Sequence, residues 1–294
     1  MGVDATLLAA LRRRWDVEVV IPASAAESAR VASTAAADGA HAVIAAGGDG
    51  TASAVARGLV GSDTALGVLP LGTANDLARA LGLRHSPLDA ARRLVAATAR
   101  PMDLVALGGR PFCTVGGLGI VADSALAAGR IRASGGARSR AARGLGASIY
   151  RATALAELLT RRPLASCIEL ELVTPDGTTR SLALDSPGVF VANQRMCGGG
   201  LALPNVGPDD DGLFELLVIR AVSRVRLVDA FTRLALGLPI PDAVLHVQSA
   251  RAARIRCARD ESFLGDGDEI GRGREFEIRS VPRSLRVLGA SQTG

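Results

Sequence analysis

The 294-residue sequence contains no lysine: all 34 residues of its Lys+Arg count are arginine. That absence removes the Walker-type phosphate-binding lysine, the strand lysine of protein kinases and any Schiff-base lysine. Any phosphate chemistry in this chain must rest on backbone N–H groups, arginine and metal. Aromatics are nearly as scarce. Six Phe, one Trp and one Tyr are too few to stack successive bases of a single strand, so nucleic acid is not an expected partner. The cysteines Cys113, Cys167, Cys197 and Cys257 form no C-x-x-C pair, and His41, His85 and His246 stand at no metal spacing to them. Reduced thiols of a cytoplasmic protein are expected. Long apolar runs are missing too. The longest uncharged stretch, Met196 to Pro208, has thirteen residues broken by glycine and proline. A spanning helix needs about 20 apolar residues, so no transmembrane segment is expected. No export signal is visible near the N-terminus.

What is present suits a globular chain of about two domains, with 48% hydrophobic and 21% charged residues and a modest net charge of +5. The first third alternates helix and strand. Leu7, Leu8, Leu11 and Trp15 share a helical face, Val17 to Ile21 reads as a strand, and Ser24 to Ala37 as a helix closed by Asp38-Gly39. His41 to Ala46 and Ala65 to Leu69 read as strands around a helix from Ala52 to Leu59. Such alternation over short links predicts a doubly wound, three-layer α/β domain with a parallel sheet. From Asp103 onward the pattern becomes strand-rich. Ile168 to Val173 and Thr178 to Leu184 flank a Thr-Pro-Asp-Gly turn, and further strand-like runs follow, with helices near Gly144 to Leu159 and Ser223 to Leu236. The expected division is an α/β domain over 1–103, to which about 283–294 returns, and a β-rich, antiparallel, sandwich-like domain over 104–282.

Two segments carry the chemistry. Gly47-Gly48-Asp49-Gly50-Thr51 follows an apolar strand and opens a helix. Glycines there permit close backbone approach, and helix-terminal N–H groups point at an anion. Asp49 would repel a bare phosphate and makes sense beside Mg²⁺. An ordinary strand–turn–helix corner is the other reading of the same five residues. The second segment, Pro70-Leu71-Gly72-Thr73-Ala74-Asn75-Asp76-Leu77-Ala78-Arg79, again follows a strand. Thr73 offers a hydroxyl to phosphate, and Asn75 or Asp76 is placed to cap the next helix.

Together these segments resemble the bacterial lipid kinases of the diacylglycerol kinase and sphingosine kinase superfamily. The resemblance continues through Gly117-Leu118-Gly119, Asn193, Gly198-Gly199-Gly200, Asp209-Asp210-Asp211-Gly212-Leu213 and Asp266-Gly267-Asp268. It implies transfer of the ATP γ-phosphate to a lipid hydroxyl, diacylglycerol by default, in a cleft between a nucleotide domain and a β-rich lipid-substrate domain. Carried over by position, Gly47, Gly48, Asp49, Gly50, Thr51, Gly72, Thr73, Asn75 and Asp76 belong to the ATP site. Asp211, with the carbonyls of Pro208 and Leu213, belongs to a Mg²⁺ site, a donor set of oxygens that suits this ion. Asp268 falls where the family has a glutamate acting as general base on the lipid hydroxyl, and Asp49 organises nucleotide and metal.

The chain also departs from the family pattern. An Asn-Pro…Ser-Gly strand ahead of residue 17 is not seen, and the threonine expected after Ile21 is absent, with Ser24 the nearest hydroxyl. Ser53 and Ala54 replace an Asn and a Glu, and Val121 stands where an aspartate is expected, with Asp123 two residues on. These keep two alternatives in view: a catalytically impaired relative that binds nucleotide or lipid, and an ATP-dependent kinase of a non-lipid alcohol. Between Ser124 and Ala156 there are six arginines (Arg130, Arg132, Arg138, Arg140, Arg143 and Arg151) and no acidic residue. That predicts peripheral contact with the inner face of an anionic membrane, where the lipid substrate resides. A homodimer is compatible with the sequence.

Overall fold

The computed structural model describes residues 4–83, 86–133, 148–160 and 165–289. Local chemistry starts each early element. In α1 (Ala5–Leu11) the Asp4 carboxylate accepts from the Thr6 N–H, and Leu7 and Leu11 are buried. Trp15 lies past the helix end and sets its ring 6.4 Å from that of His41. Ser24 caps α2 (Ala25–Ala37), and β1 (Ala42–Gly47), α3 (Asp49–Leu59), β2 (Ala65–Pro70) and α4 (Asp76–Ala80) follow. Ser86 caps α5 (Pro87–Ala96), which begins on a proline, where the missing N–H costs nothing. The strand expected at Val17 to Ile21 does not form. Val19, Val20 and Ile21 are 45, 50 and 84% exposed, and a β-prone run becomes a strand only when a neighbouring edge supplies its ladder.

The strand-rich part comprises β3 (Ala99–Leu107), β4 (Arg110–Phe112), β5 (Val115–Gly119), α6 (Ile120–Ala133), α7 (Ser148–Thr160), β6 (Ser166–Val173) and β7 (Thr179–Ser186). It continues through β8 (Gly188–Ala192), β9 (Met196–Cys197), β10 (Leu201–Ala202), β11 (Phe214–Ile219), α8 (Arg224–Leu236), β12 (Leu245–Ala250), β13 (Ala252–Gly265) and β14 (Asp268–Leu288). The result is a mixed α/β fold, an N-terminal α/β part followed by a β-rich, sandwich-like part. The main sheet runs β1-β2-β14-β13-β5-β8-β11-β12, with β3 beside β14 and β6 beside β13. β1, β2 and β14 pair in parallel, and the other pairs are antiparallel.

β14 belongs to both parts. Its first half pairs with β13, and near its end Arg286 and Val287 pair with Ala65 and Leu66 of β2. The β3–β14 register breaks between Val281 and Leu285, where Arg283 takes φ +51° and donates its N–H to the Asp103 carboxylate. Apolar clusters fill both parts: one surrounds Leu59, Leu66 and Leu94, another is built on Phe112, Phe214 and Phe263, and two smaller ones gather around Leu227 and Leu217. Arg100 of β3 holds buried Asp209 through two N–H···O bonds of 2.8 Å, and Gln194 adds a third at 2.9 Å.

Among the described residues no helix is long and apolar enough to cross a membrane. Of the arginine-rich stretch, Arg138, Arg140 and Arg143 lie outside the described residues, and Arg132 lies in α6. Arg130 is exposed on α6, while Arg151 is partly buried on α7 and donates to Ser148 Oγ at 3.2 Å.

Candidate active site

The parallel register of β1 and β2 sets Gly47 opposite Pro70, so the two glycine-bearing loops leave the sheet side by side. Leu71 N–H donates to the Gly47 carbonyl at 2.9 Å. A side chain at Gly48 would begin 3.2 Å from Gly72 Cα, and one at Gly72 would collide with Gly48 Cα. The loops therefore meet backbone to backbone, leaving Gly50, Gly72 and Thr73 exposed at the rim. Thr51 sits beneath Gly47, where any added Cβ would run into its side chain.

Capping of α4 differs from the sequence expectation. Asn75 is left-handed, at φ +51°, and its amide closes the loop on Gly72: it accepts from Gly72 N–H at 2.9 Å and donates to Gly72 O at 2.8 Å. The cap comes from the other motif. Asp49 Oδ1 accepts from Asp76 N–H at 2.6 Å and from Leu77 N–H at 3.3 Å. A carboxylate there satisfies orphan donors and is favoured by the helix field. Asp49 thus ties the two segments together.

Asp76, the first residue of α4, is 9% exposed and reaches the strand-rich part. Both its oxygens accept from Gly199 N–H, at 3.0 and 3.1 Å. Burial, followed by the charge of Asp49, pushes its pKa up to about 6 against the pull of the Gly199 N–H and Arg79. Burial likewise raises Asp49, against the N–H groups it caps. Cys197, in the same wall, has its thiol pushed up by burial and by Asp76.

Asp266 and Gly267, at φ +52° and +87°, form the two-residue turn between β13 and β14. The Asp266 carboxylate accepts from Cys113 N–H, Thr114 N–H at 2.8 Å, Thr114 Oγ1 at 2.7 Å and Ser53 Oγ at 2.7 Å, and Ser53 Oγ accepts from Arg57 at 2.8 Å. It joins α3 to the start of β5. Asp268 is not brought there. It pairs with Gly265, and cross-strand partners share a face. A side chain at Gly265 would meet Phe112 and Ile270, neither of which lines the pocket described next, and Asp268 is exposed outside that lining.

Asp49, Asp76, Thr114 and Asp266 stand at one end of a cavity of about 250 Å³. Beyond them the walls are apolar: Ile120 and Val121 of α6, Leu158 of α7, and Leu227, Phe231 and Leu234 of α8. Val121 thus contributes an apolar wall, and Asp123 is exposed outside the lining. Close strand packing makes the room. Added side chains at Gly116 or Gly117 would strike the Leu264 or Val189 backbone.

The second expected site is a separate, acidic corner. Asp211 is exposed, and its Oδ1 accepts from Leu213 N–H at 2.9 Å. Its Oδ2 and Glu215 Oε1 each lie 3.3 Å from the point where a side chain at Gly207 would begin. Burial, then Asp211, pushes Glu215 up to about 7, which marks a carboxylate short of positive charge. Among the described residues no three His, Cys, Asp or Glu side chains converge as a metal cage. A site here would need backbone oxygens such as those of Pro208 and Leu213, and that all-oxygen set fits a hard divalent cation.

The motif count points to Asp268, with Asp266 and Glu269 as neighbours easily confused with it. Of the three, the fold sets Asp266 in the pocket lining, in an Asp-Gly pair between strands that is itself a signal for a left-handed turn. Ser53 was noted only as a departure. The apolar walls gave no signal, because their spacing is that of any core helix.

Residues 5–107 match the family described as diacylglycerol kinase catalytic domain, and residues 128–289 match the YegS C-terminal NAD kinase beta sandwich-like domain. The chain is 30% identical to a diacylglycerol kinase of Mycobacterium tuberculosis over 236 residues, 78% of this chain and 71% of that one. It is 29% identical to a diacylglycerol kinase of Bacillus subtilis over 227 residues, 76% of this chain and 68% of that one. A crystal structure of a diacylglycerol kinase from Bacillus anthracis str. Sterne superposes with a TM-score of 0.71, covering 98% of this chain and 89% of that chain at 17% identity. That last likeness speaks for the fold alone.

Proposed function

The chain belongs to the diacylglycerol kinase family, and from that premise we propose that it transfers the γ-phosphate of ATP to a lipid hydroxyl, diacylglycerol by default. The observation that carries the reading is the polarity of the cavity: half-buried Asp49 and buried Asp76 line it with Thr114 and Asp266, while most of its remaining walls are apolar. An acceptor with a hydroxyl head and a hydrocarbon body matches that polarity. ATP is the phosphate donor, and Mg²⁺ accompanies it. The touching backbones of Gly48 and Gly72 leave a surface free of side chains, the kind of cradle that polyphosphate needs, and Thr73 stands exposed beside it. Gly47, Gly48, Gly50, Thr51 and Gly72 shape that cradle, and Asn75 fixes its loop. Mg²⁺ held beside Asp49 would neutralise charge on the transferring phosphoryl group.

As the acceptor oxygen bonds to the γ-phosphorus, the bond to the ADP oxygen breaks and the hydroxyl proton must leave. We assign that proton to Asp76, whose pKa near 6 suits a general base close to neutral pH. Asp49 holds the α4 N-terminus, and so Asp76, in place. Asp268 stands outside the pocket, so loss of turnover in Asp268→Asn with ATP binding intact would return the proton to it. The Asp211 corner, with the carbonyls of Pro208 and Leu213, is proposed as a second cation site, structural for the strand-rich part.

The test is incubation with ATP, Mg²⁺ and a total lipid extract, with phosphorylated lipid as the readout. Transfer to lipid supports the kinase. ATP binding without transfer supports the second reading, an impaired relative, which Ser53 and Ala54 in place of an Asn and a Glu favour. Transfer only to a non-lipid alcohol replaces the acceptor and keeps the chemistry.

A further inference from the structure

Helix α8 is apolar on two opposite sides. Its inner side, with Leu227, Phe231 and Leu234, walls the pocket. At about 100° per residue, Val225, Asp229, Thr232 and Leu236 fall together on the far side, so its two exposed apolar residues stand at the ends of a stripe that is polar in the middle. There Val225 is 78% and Leu236 68% exposed, and Leu238, just past the Gly237 cap, is 50% exposed. Leu159, at the end of α7, is 52% exposed and adjoins the start of α8, where Arg224 donates to its carbonyl at 3.0 Å. These four account for a large share of the big apolar side chains that the described chain leaves in water. Packing explains the inner side of α8 and not the outer one.

On α8 itself the charge is positive on balance: Arg224, Arg226 and Arg233 flank the ridge, against Asp229 on the stripe, which pairs with Arg233 at 2.8 Å. Arg224 and Arg226 occupy the first turn of α8, which holds no acidic residue. That is the reverse of what a helix N-terminus favours. A local preference given up on an exposed face points to a use for that face.

We propose that the outer ridge of α8 is the surface by which the protein docks on an anionic lipid leaflet. Val225, Leu236 and Leu238 enter the edge of the acyl region, and the arginines meet the headgroups. This rests on the lipid acceptor proposed above and adds where that acceptor comes from. The helix lying on the leaflet is also a wall of the pocket, which sets the pocket one helix away from the membrane surface.

The full chain is sedimented with vesicles of phosphatidylcholine alone and with vesicles carrying about 30 mol% phosphatidylglycerol. Binding to the anionic vesicles alone is expected, and the double variant V225D/L236D should lower the bound fraction about tenfold. Both substitutions are at exposed positions, and the acid favoured in the first turn offsets the one disfavoured at the last residue of the helix, so the fold is retained. Phosphorylation of a water-dispersed short-chain diacylglycerol should be the same in variant and parent. Equal pelleting of variant and parent overturns the proposal, as does equal binding of the parent to neutral and anionic vesicles. Self-association of the parent that the double variant abolishes, without vesicle binding, would assign the ridge to a second copy and also overturn it. If no lipid is phosphorylated while docking behaves as stated, the docking surface stands and the activity reading fails.

Discussion

Asp76 bears the most weight of any single residue. If it accepts the acceptor proton, Asp76→Asn should lower kcat about a hundredfold or more while ATP binding persists. In the parent, kcat/KM should rise with pH through about 6, as the carboxylate ionises. The same group has a stability signature of definite sign. Its pKa is about 6 in the folded chain against 3.8 as the reference. The folded state therefore holds the proton more tightly, which adds stability at low pH. That contribution is present below about pH 4 and lost as pH rises through about 6. Without nucleotide or metal, Asp76→Asn should then gain on the parent between about pH 4 and pH 7, by on the order of 2 kcal/mol. Thermal melts at the two pH values read this directly, and parallel curves would refute it. Gly72 gives a backbone counterpart. Gly72→Ala drives a methyl into Gly48 Cα. It should cost about 1–3 kcal/mol and weaken ATP binding, measured by melting and by nucleotide titration.

At the scale of elements, the sequence is most legible where a strand ends in glycines. The Gly47–Thr51 and Pro70–Arg79 segments are found after β1 and β2, in contact with one another. The hydrophobic period also locates α2, α3, β1 and β2 to within a few residues. What stayed hidden depends on partners far away in the chain. Val17 to Ile21 has the composition of a strand, yet it has no ladder. Asn75 has the identity of a cap, yet Asp49, on the other motif, does the capping. Asp268 fits the family motif by count, yet the alternation across a two-residue turn takes it out of the pocket and leaves Asp266 there. The Arg100–Asp209 pair is another such long-range link, between β3 and the segment preceding β11. Removing Arg100 takes the charge partner from a carboxylate with no exposure at all and leaves it the Gln194 amide, so Arg100→Met should destabilise the chain by about 3–5 kcal/mol in chemical denaturation. A loss under about 1 kcal/mol would show that water reaches Asp209 readily.

At the scale of the molecule, the two parts are joined by the long strands β3 and β14, and the candidate site draws on both. The first supplies the touching glycine loops, Asp49 and Asp76. The second supplies Gly199, the Asp266 turn and the apolar walls. Under the proposed function, a chain without lysine would hold phosphate through backbone N–H groups, with Mg²⁺ beside the carboxylates. The most direct test follows labelled phosphate from ATP into a lipid extract in the presence of Mg²⁺, for the parent and for Asp76→Asn side by side. The account predicts labelled lipid from the parent and about a hundredfold less from the variant, with both still binding ATP. A parent that binds ATP yet labels no lipid, or a variant that labels lipid as fast as the parent, would contradict it.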